Sequence, residues 1–153
     1  MKVTLTNEEV KEAKEVAMAR QAENVLKGRK PAYGINPQND LRVHTLGACG
    51  ELAVAKALDI PWTGARIFRA PDVGQFEVRT TVYQSGHLIL HPKDNDNSIF
   101  ILVIGEENTF ELKGWIYGEK GKSRSYWKDK SKKDRPAYFV PQIALRPMRS
   151  LPR

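Results

Sequence analysis

The sequence predicts an α+β domain in which N-terminal helices pack on a mixed, largely antiparallel sheet. Before Pro61, a capping pattern and helical spacing of apolar side chains indicate helices. After Ala65, the pattern changes to short apolar and alternating segments that are typical of strands. Prolines at positions 136, 141, 147 and 152 argue against a long helix in the tail. A length of 153 residues fits one domain, so we assign residues 1–153 to a single unit.

Local patterns define each predicted element. Thr6 and Glu9 form a Thr-x-x-Glu capping box that begins the first helix, and Pro61 ends the second. Residues 99–104 form a continuous apolar run, as expected for a central strand that is covered on both faces. Residues 105–108 are typical of a hairpin turn between the last two strands. The predicted elements are helices over about residues 7–27 and 40–58, and strands over residues 67–70, 75–83, 87–91, 99–105 and 110–117.

Composition narrows the class of protein. Apolar residues make up 41% of the chain and charged residues 28%, which is ordinary for a globular domain. Cys49 is the only cysteine, which excludes an internal disulfide framework and a thiolate zinc cluster. The chain shows neither an apolar stretch of membrane-spanning length nor a secretory signal. We therefore expect a cytoplasmic protein with no membrane partner.

The net charge of +7 is concentrated in a basic loop, residues 118–135. This segment holds eight basic and three acidic residues, so it carries five of the seven net charges. Because basic side chains neutralise phosphates and aromatic rings stack on bases, the loop is typical of a nucleic-acid-binding surface. A solvated loop whose lysines only aid solubility is the alternative. The predicted nucleic-acid-binding residues are Lys120, Lys122, Arg124, Trp127, Lys128, Lys130, Lys132, Lys133 and Arg135.

Three acidic residues define a candidate catalytic centre. Glu51 is flanked by apolar residues of the second helix, so its charge points to or near a buried face. Asp72 and Glu77 lie on the two arms of a possible hairpin around residues 73–74. Arg79 follows Glu77 by two positions, so both side chains project from one side of a strand. Neighbouring carboxylates repel each other and need a compensating cation, either Mg²⁺ or Arg79 itself.

This arrangement resembles the PD-(D/E)xK nuclease superfamily, also called restriction-endonuclease-like, at Pro71–Asp72, at Glu77-x-Arg79 and at the upstream helical Glu51. The resemblance extends to about Tyr117, and the layout is most similar to small phage-encoded members. It implies a restriction-endonuclease-like core and Mg²⁺-dependent hydrolysis of DNA phosphodiester bonds, with Mn²⁺ able to substitute. For a phage-encoded member it also implies action in the host cytoplasm.

The resemblance assigns roles to individual residues. It makes Asp72 and Glu77 metal ligands, adds the backbone carbonyl of Val78, and lets Glu51 complete the site directly or through water. Arg79 occupies the position of the family's lysine. Because arginine stays protonated in proteins, it cannot act as a general base, although it can orient water or stabilise the transition state. The family's helix after the third core strand is replaced here by the basic loop.

Several other residues are candidates for supporting roles. His44 lies seven positions before Glu51 on the same helical face, where it could reach a phosphate or orient water, and Arg42 is similar. Lys113 and Lys56 could take the part of the missing lysine. By contrast, we interpret Asp94 and Asp96 as part of a solvated turn, because the calcium-loop spacing is absent.

Two other classes of function stay open beside a Mg²⁺-dependent endo- or exodeoxyribonuclease. A catalytically inactive nucleic-acid-binding protein on the same fold would account for Arg79, and it would bind DNA without metal and with a steep salt dependence. An interaction protein would dock on an acidic partner through the basic loop. Glu51 favours the nuclease, because a buried carboxylate without a cation is costly. A homodimer would suit paired cuts, and a monomer would suit nicking.

Overall fold

The computed structural model describes residues 1–28, 36–62, 64, 70–129 and 136–153. Within these residues, two long helices cover one face of a four-stranded sheet, and a three-stranded sheet covers the other face. The predicted α+β class is therefore confirmed, whereas the restriction-endonuclease-like core stays a prediction. No helix in these ranges is long and apolar enough to cross a bilayer.

Both predicted helices are present. Helix α1 (Asn7–Leu26) begins at the predicted capping box, in which Thr6 Oγ1 accepts from the Glu9 N–H at 3.1 Å and Glu9 Oε1 accepts from the Thr6 N–H at 2.8 Å. Helix α2 (Pro37–Leu58) begins earlier than expected, because the Asn36 side chain caps it and proline fits the first turn. It ends where Asp59 adopts a left-handed conformation, just before the predicted stop.

The two sheets are built from short strands. The larger sheet has the order β1-β5-β4-β2, and the smaller has the order β3-β7-β6. In the larger sheet only the β2–β4 pair is parallel, so the sheet is mixed and largely antiparallel, as predicted. The predicted strand over residues 67–70 falls mostly outside the described residues. The strands are β1 (Lys2–Thr4), β2 (Phe76–Thr81), β3 (Leu88–Leu90), β4 (Ile99–Glu106), β5 (Thr109–Tyr117), β6 (Trp127–Lys128) and β7 (Ala137–Val140).

Strand β4 is central and covered on both faces, as its apolar run predicted. Ile101 and Val103 belong to the core beneath the helices, while Phe100 and Leu102 belong to the core beneath the smaller sheet. The predicted hairpin to β5 is also confirmed, with Glu107 in the left-handed region at φ 57°. After β5, the basic loop begins with a one-turn helix, α3 (Gly118–Gly121).

Helix α2 lies close to β2 at Gly50, which yields a stability prediction. A Cβ atom at Gly50 would lie 2.9 Å from the Thr80 Cβ, whereas one at Gly47 would meet nothing within 4 Å. We expect Gly50→Ala to lower the free energy of unfolding by about 2 kcal/mol through overpacking. The matched control, Gly47→Ala, is expected to raise it by up to about 1 kcal/mol, because alanine favours the helix. Urea unfolding of both variants tests this, and similar effects would contradict the close approach.

Candidate active site

Among the described strands β2 is last in the larger sheet, and a tight turn fixes Asp72 beside its outer edge. Val73 and Phe76 exchange both backbone hydrogen bonds, at 3.0 and 2.8 Å, and Gly74 adopts a φ of 56° that favours glycine. The chain thereby doubles back, and the Asp72 carboxylate accepts a hydrogen bond from the Val78 N–H at 2.8 Å. The hairpin predicted around residues 73–74 is present as this short turn, and it brings Asp72 to the strand that carries Glu77.

Strand β2 directs Glu77 and Arg79 to the face of the sheet that the helices leave uncovered. Phe76 and Val78 are buried in the core beneath α2, so the alternation of side chains points the intervening residues to the opposite face. The Arg79 guanidinium accordingly lies 5.0 Å from the ring centre of Phe100, which belongs to the other core. The prediction that Glu77 and Arg79 share one side of a strand is confirmed.

Burial and the negative charge of Asp72 raise the pKa of Glu77 to about 7. Arg79 acts in the opposite direction, and the hydrogen bond between the two carboxyl groups and the charge of Asp94 add to the rise. Glu77 therefore holds its proton more tightly than an ordinary glutamate, and a nearby positive charge would offset both its burial and the repulsion from Asp72. A divalent cation can supply that charge in place of the proton.

Asp94 also belongs to this cluster. Its Oδ1 lies 3.3 Å from Arg79 Nη2, and its Oδ2 accepts a hydrogen bond from the His91 N–H at 2.8 Å. The solvated-turn interpretation holds for Asp96, whose side chain is 60% exposed, but is wrong for Asp94, at 15%. Because β2 and β4 run parallel, the segments that precede them lie at the same end of the sheet. Only the parallel pairing of β2 with β4 places Asp94 beside Arg79, and the local sequence does not reveal this pairing.

Glu51 lies in the helix layer and forms an ion pair with Arg20 of α1. Glu51 Oε2 is 2.9 Å from Arg20 Nη2, which also donates to the Gly64 carbonyl at 2.9 Å. Since α2 packs on the face of β2 opposite to the Glu77 side chain, Glu51 and Glu77 lie on different sides of the sheet. Arg20 supplies the counter-charge that the sequence argument assigned to a metal. The catalytic role of Glu51 stays a prediction.

The supporting candidates have partners elsewhere in the fold. His44 Nε2 lies 3.4 Å from Asp40 Oδ2 near the start of α2, and Arg42 is exposed on that helix. Lys113 pairs with a neighbouring glutamate on β5 at 3.6 Å, and Lys56 binds the Glu9 carboxylate at 2.8 Å. Both lysines are therefore engaged away from Glu77, and Arg79 is the cation that accompanies the carboxylate pair.

The described part of the basic loop contains two kinds of cation. Lys120 and Arg124 are exposed, and Lys128 Nζ lies 5.6 Å from the ring centre of Phe139. Lys122 instead points inward, where its ammonium donates to the Pro92 carbonyl at 3.0 Å and to the backbone carbonyl of Asp94. Trp127 is 39% exposed and contacts Tyr138 edge-on. The remaining predicted residues, Lys130, Lys132, Lys133 and Arg135, lie outside the described residues.

The donors at the edge of β2 match the coordination that Mg²⁺ prefers. In an extended strand the N–H and C=O of one residue point to the same edge, so the Val78 carbonyl faces the side on which Asp72 binds its N–H. Magnesium commonly takes one or two carboxylates and retains several waters. Asp72 and Glu77 would supply two carboxylates to such a site. In the described ranges no group of three or more His, Cys, Asp or Glu is placed to hold a metal ion.

Comparison with known proteins does not assign this chain to a family. No protein-family model, no curated protein and no solved structure matches it. The PD-(D/E)xK membership therefore stays a prediction, and it rests on the sequence pattern of Pro71–Asp72, Glu77-x-Arg79 and the helical Glu51.

Proposed function

We propose that this protein is a Mg²⁺-dependent nuclease that hydrolyses phosphodiester bonds of DNA. The observation that supports this most is the pair of carboxyl groups that Asp72 and Glu77 form beside β2, where burial and the charge of Asp72 raise the pKa of Glu77 to about 7. Carboxylates that share a site and repel each other are typical of a cation-binding centre. Arg79 beside them supplies a permanent positive charge for a phosphate.

Each residue of the cluster has a task in this proposal. Asp72 and a deprotonated Glu77 would hold the metal ion, and the Val78 carbonyl, which accepts from Arg79 Nη1 at 3.5 Å, would add its second lone pair. Bound Mg²⁺ supplies polarisation of the scissile phosphate and lowers the pKa of the attacking water. Arg79 donates to the phosphoryl oxygens and stabilises the charge that develops on them. Glu51 contributes indirectly, by holding α1 and α2 together behind β2.

The exposed part of the basic loop provides the DNA-binding surface. Lys120 and Arg124 carry charges that can neutralise phosphates, and part of the Trp127 ring is open to solvent for stacking on a base. Lys122 is excluded from this surface, because its ammonium is engaged by the segment that contains Asp94. The same surface would serve the second candidate, a nucleic-acid-binding protein without catalysis.

Cleavage of labelled duplex, single-stranded and branched DNA in Mg²⁺, Mn²⁺ or EDTA tests the proposal. We expect cutting that depends on the metal and that Asp72→Asn lowers about a thousand-fold or more, since the variant loses a ligand charge. Glu12→Gln, an exposed change on α1, is the control and should cut like the wild type. A wild type that shifts DNA but never cuts it would instead establish the non-catalytic binding protein.

A further inference from the structure

We infer that Asp94 is a positioning residue of this site, which holds the guanidinium of Arg79 in one orientation beside the Asp72–Glu77 pair. Its effect on the reaction rests on the proposed nuclease function. The holding of Arg79 by Asp94 is a separate statement about the free protein, and it can be measured without any substrate.

The Arg79 guanidinium is constrained in three directions. Nη2 lies 3.3 Å from Asp94 Oδ1, Nη1 donates to the Val78 carbonyl at 3.5 Å, and the guanidinium lies over the Phe100 ring at 5.0 Å. A planar guanidinium held at two nitrogens and stacked on a ring has little rotational freedom left. The Arg79 side chain is therefore ordered in the free protein, and ordering it costs less entropy when a phosphate binds.

Asp94 is itself anchored by residues from another part of the chain. Its Oδ2 accepts from the His91 N–H at 2.8 Å, and its backbone carbonyl accepts from the Lys122 ammonium. The same ammonium binds the Pro92 carbonyl at 3.0 Å and Asp96 Oδ1 at 2.7 Å. Lys122 follows α3 and the Asp94 segment precedes β4, so this brace joins two chain segments and fixes the carboxylate that meets Arg79.

Asp94 keeps the guanidinium of Arg79 from pairing with the two carboxylates that are proposed to bind the metal ion. A mobile Arg79 would pair directly with Asp72 or Glu77 and would compete with a metal ion for their oxygens. Asp94 offers a third carboxylate that draws the guanidinium aside. The two hydrogen-bond contacts engage two of the five N–H donors of a guanidinium, so the group can hold Asp94 and still donate to a phosphate oxygen.

Asp94→Asn and the control Glu12→Gln, an exposed carboxylate-to-amide change on α1, test this inference. Asparagine keeps the shape of aspartate but has an NH2 donor in place of one oxygen, so it can no longer offer one oxygen to the His91 N–H and the other to Arg79. Nitrogen NMR of the arginine side chains, with Arg79 assigned through Arg79→Lys, should show separate Nη signals in the wild type and in Glu12→Gln. In Asp94→Asn these signals should merge, because the guanidinium rotates freely.

The cleavage assay gives the second measurement. Asp94→Asn should lower kcat about ten- to a hundred-fold with KM nearly unchanged, because Arg79 acts in the transition state. Glu12→Gln should retain the wild-type kcat. Should Asp94→Asn not fold, Asp94→Ser replaces it, because its hydroxyl can accept from the His91 N–H but is too short to reach Arg79.

Separate Nη signals in a folded Asp94 variant, or a raised KM with the wild-type kcat, would overturn the inference. A wild type that cuts no DNA under any condition would refute the nuclease proposal alone. In that case the NMR comparison still decides whether Asp94 holds Arg79, so the two failures are distinguishable.

Discussion

Glu77→Gln is expected to abolish metal-dependent cleavage, by about a thousand-fold or more, and at the same time to stabilise the metal-free protein above pH 7. Activity falls because glutamine has no charge to offer a cation. Stability rises because the wild type must keep a half-buried carboxylate ionised beside Asp72, whereas glutamine resembles the protonated acid. The same substitution should thus lower activity and raise stability, as is common at functional sites where like charges repel each other.

The pH dependence of this effect follows from the pKa of Glu77, which is about 7 in the folded protein against an ordinary value of 4.5. The folded state therefore binds the proton more tightly than the unfolded state does. Proton binding by Glu77 contributes to the free energy of unfolding. This contribution is fully present below about pH 4.5 and is lost as the pH rises through about 7. We expect Glu77→Gln to exceed the wild type by about 1 kcal/mol at pH 8, after allowance for solvent screening, and by much less at pH 5.

Thermal unfolding at pH 5 and pH 8, with EDTA and then with Mg²⁺, measures this directly. Adding Mg²⁺ at pH 8 should raise the Tm of the wild type but not that of Glu77→Gln, because only the wild type has the ligand. Glu12→Gln should follow the wild type throughout. If Glu77→Gln raises the Tm equally at pH 5 and pH 8, proton binding by Glu77 is not the source of the added stability.

Arg20→Ala or Glu51→Ala is expected to lower the free energy of unfolding by about 3–5 kcal/mol, because each removes one partner of a buried ion pair. The side chains of the pair are only 9% and 6% exposed. The double variant Arg20→Met/Glu51→Met should recover most of this loss, since apolar side chains of similar size often replace buried ion pairs. Urea unfolding of both single variants and the double variant gives the coupling energy.

An exposed ion pair serves as the control for this cycle. Lys27 Nζ and Glu23 Oε1 lie 2.6 Å apart with about half of each side chain exposed, so Glu23→Ala should cost less than about 0.5 kcal/mol. Glu51→Gln also distinguishes the two roles of Glu51. Loss of cleavage with unchanged stability would support the metal role implied by the family resemblance, and loss of stability would support the ion pair.

The elements that the sequence predicted are those with strong local signals. The first helix begins at its capping box, the continuous apolar run became the central strand, and residues 105–108 hold the hairpin turn. Each signal depends on residues a few positions apart, so it acts before distant parts of the chain meet. Strand β1 and the β6–β7 pair were missed, because strands this short are stabilised by their partners rather than by their own pattern.

The candidate site likewise contains residues that are close in sequence and residues that only the fold brings together. Asp72, Glu77 and Arg79 lie within one turn and one strand, so their spacing along the chain already determined that they would meet. Only the tertiary structure decided that Arg20 neutralises Glu51 and that Lys122 braces the segment of Asp94. These contacts join residues 31 and 28 positions apart, and they form only when the helices and the two sheets have packed. No local pattern encodes such pairs, because any of the 25 basic residues could have supplied the charge until the fold brought one of them near.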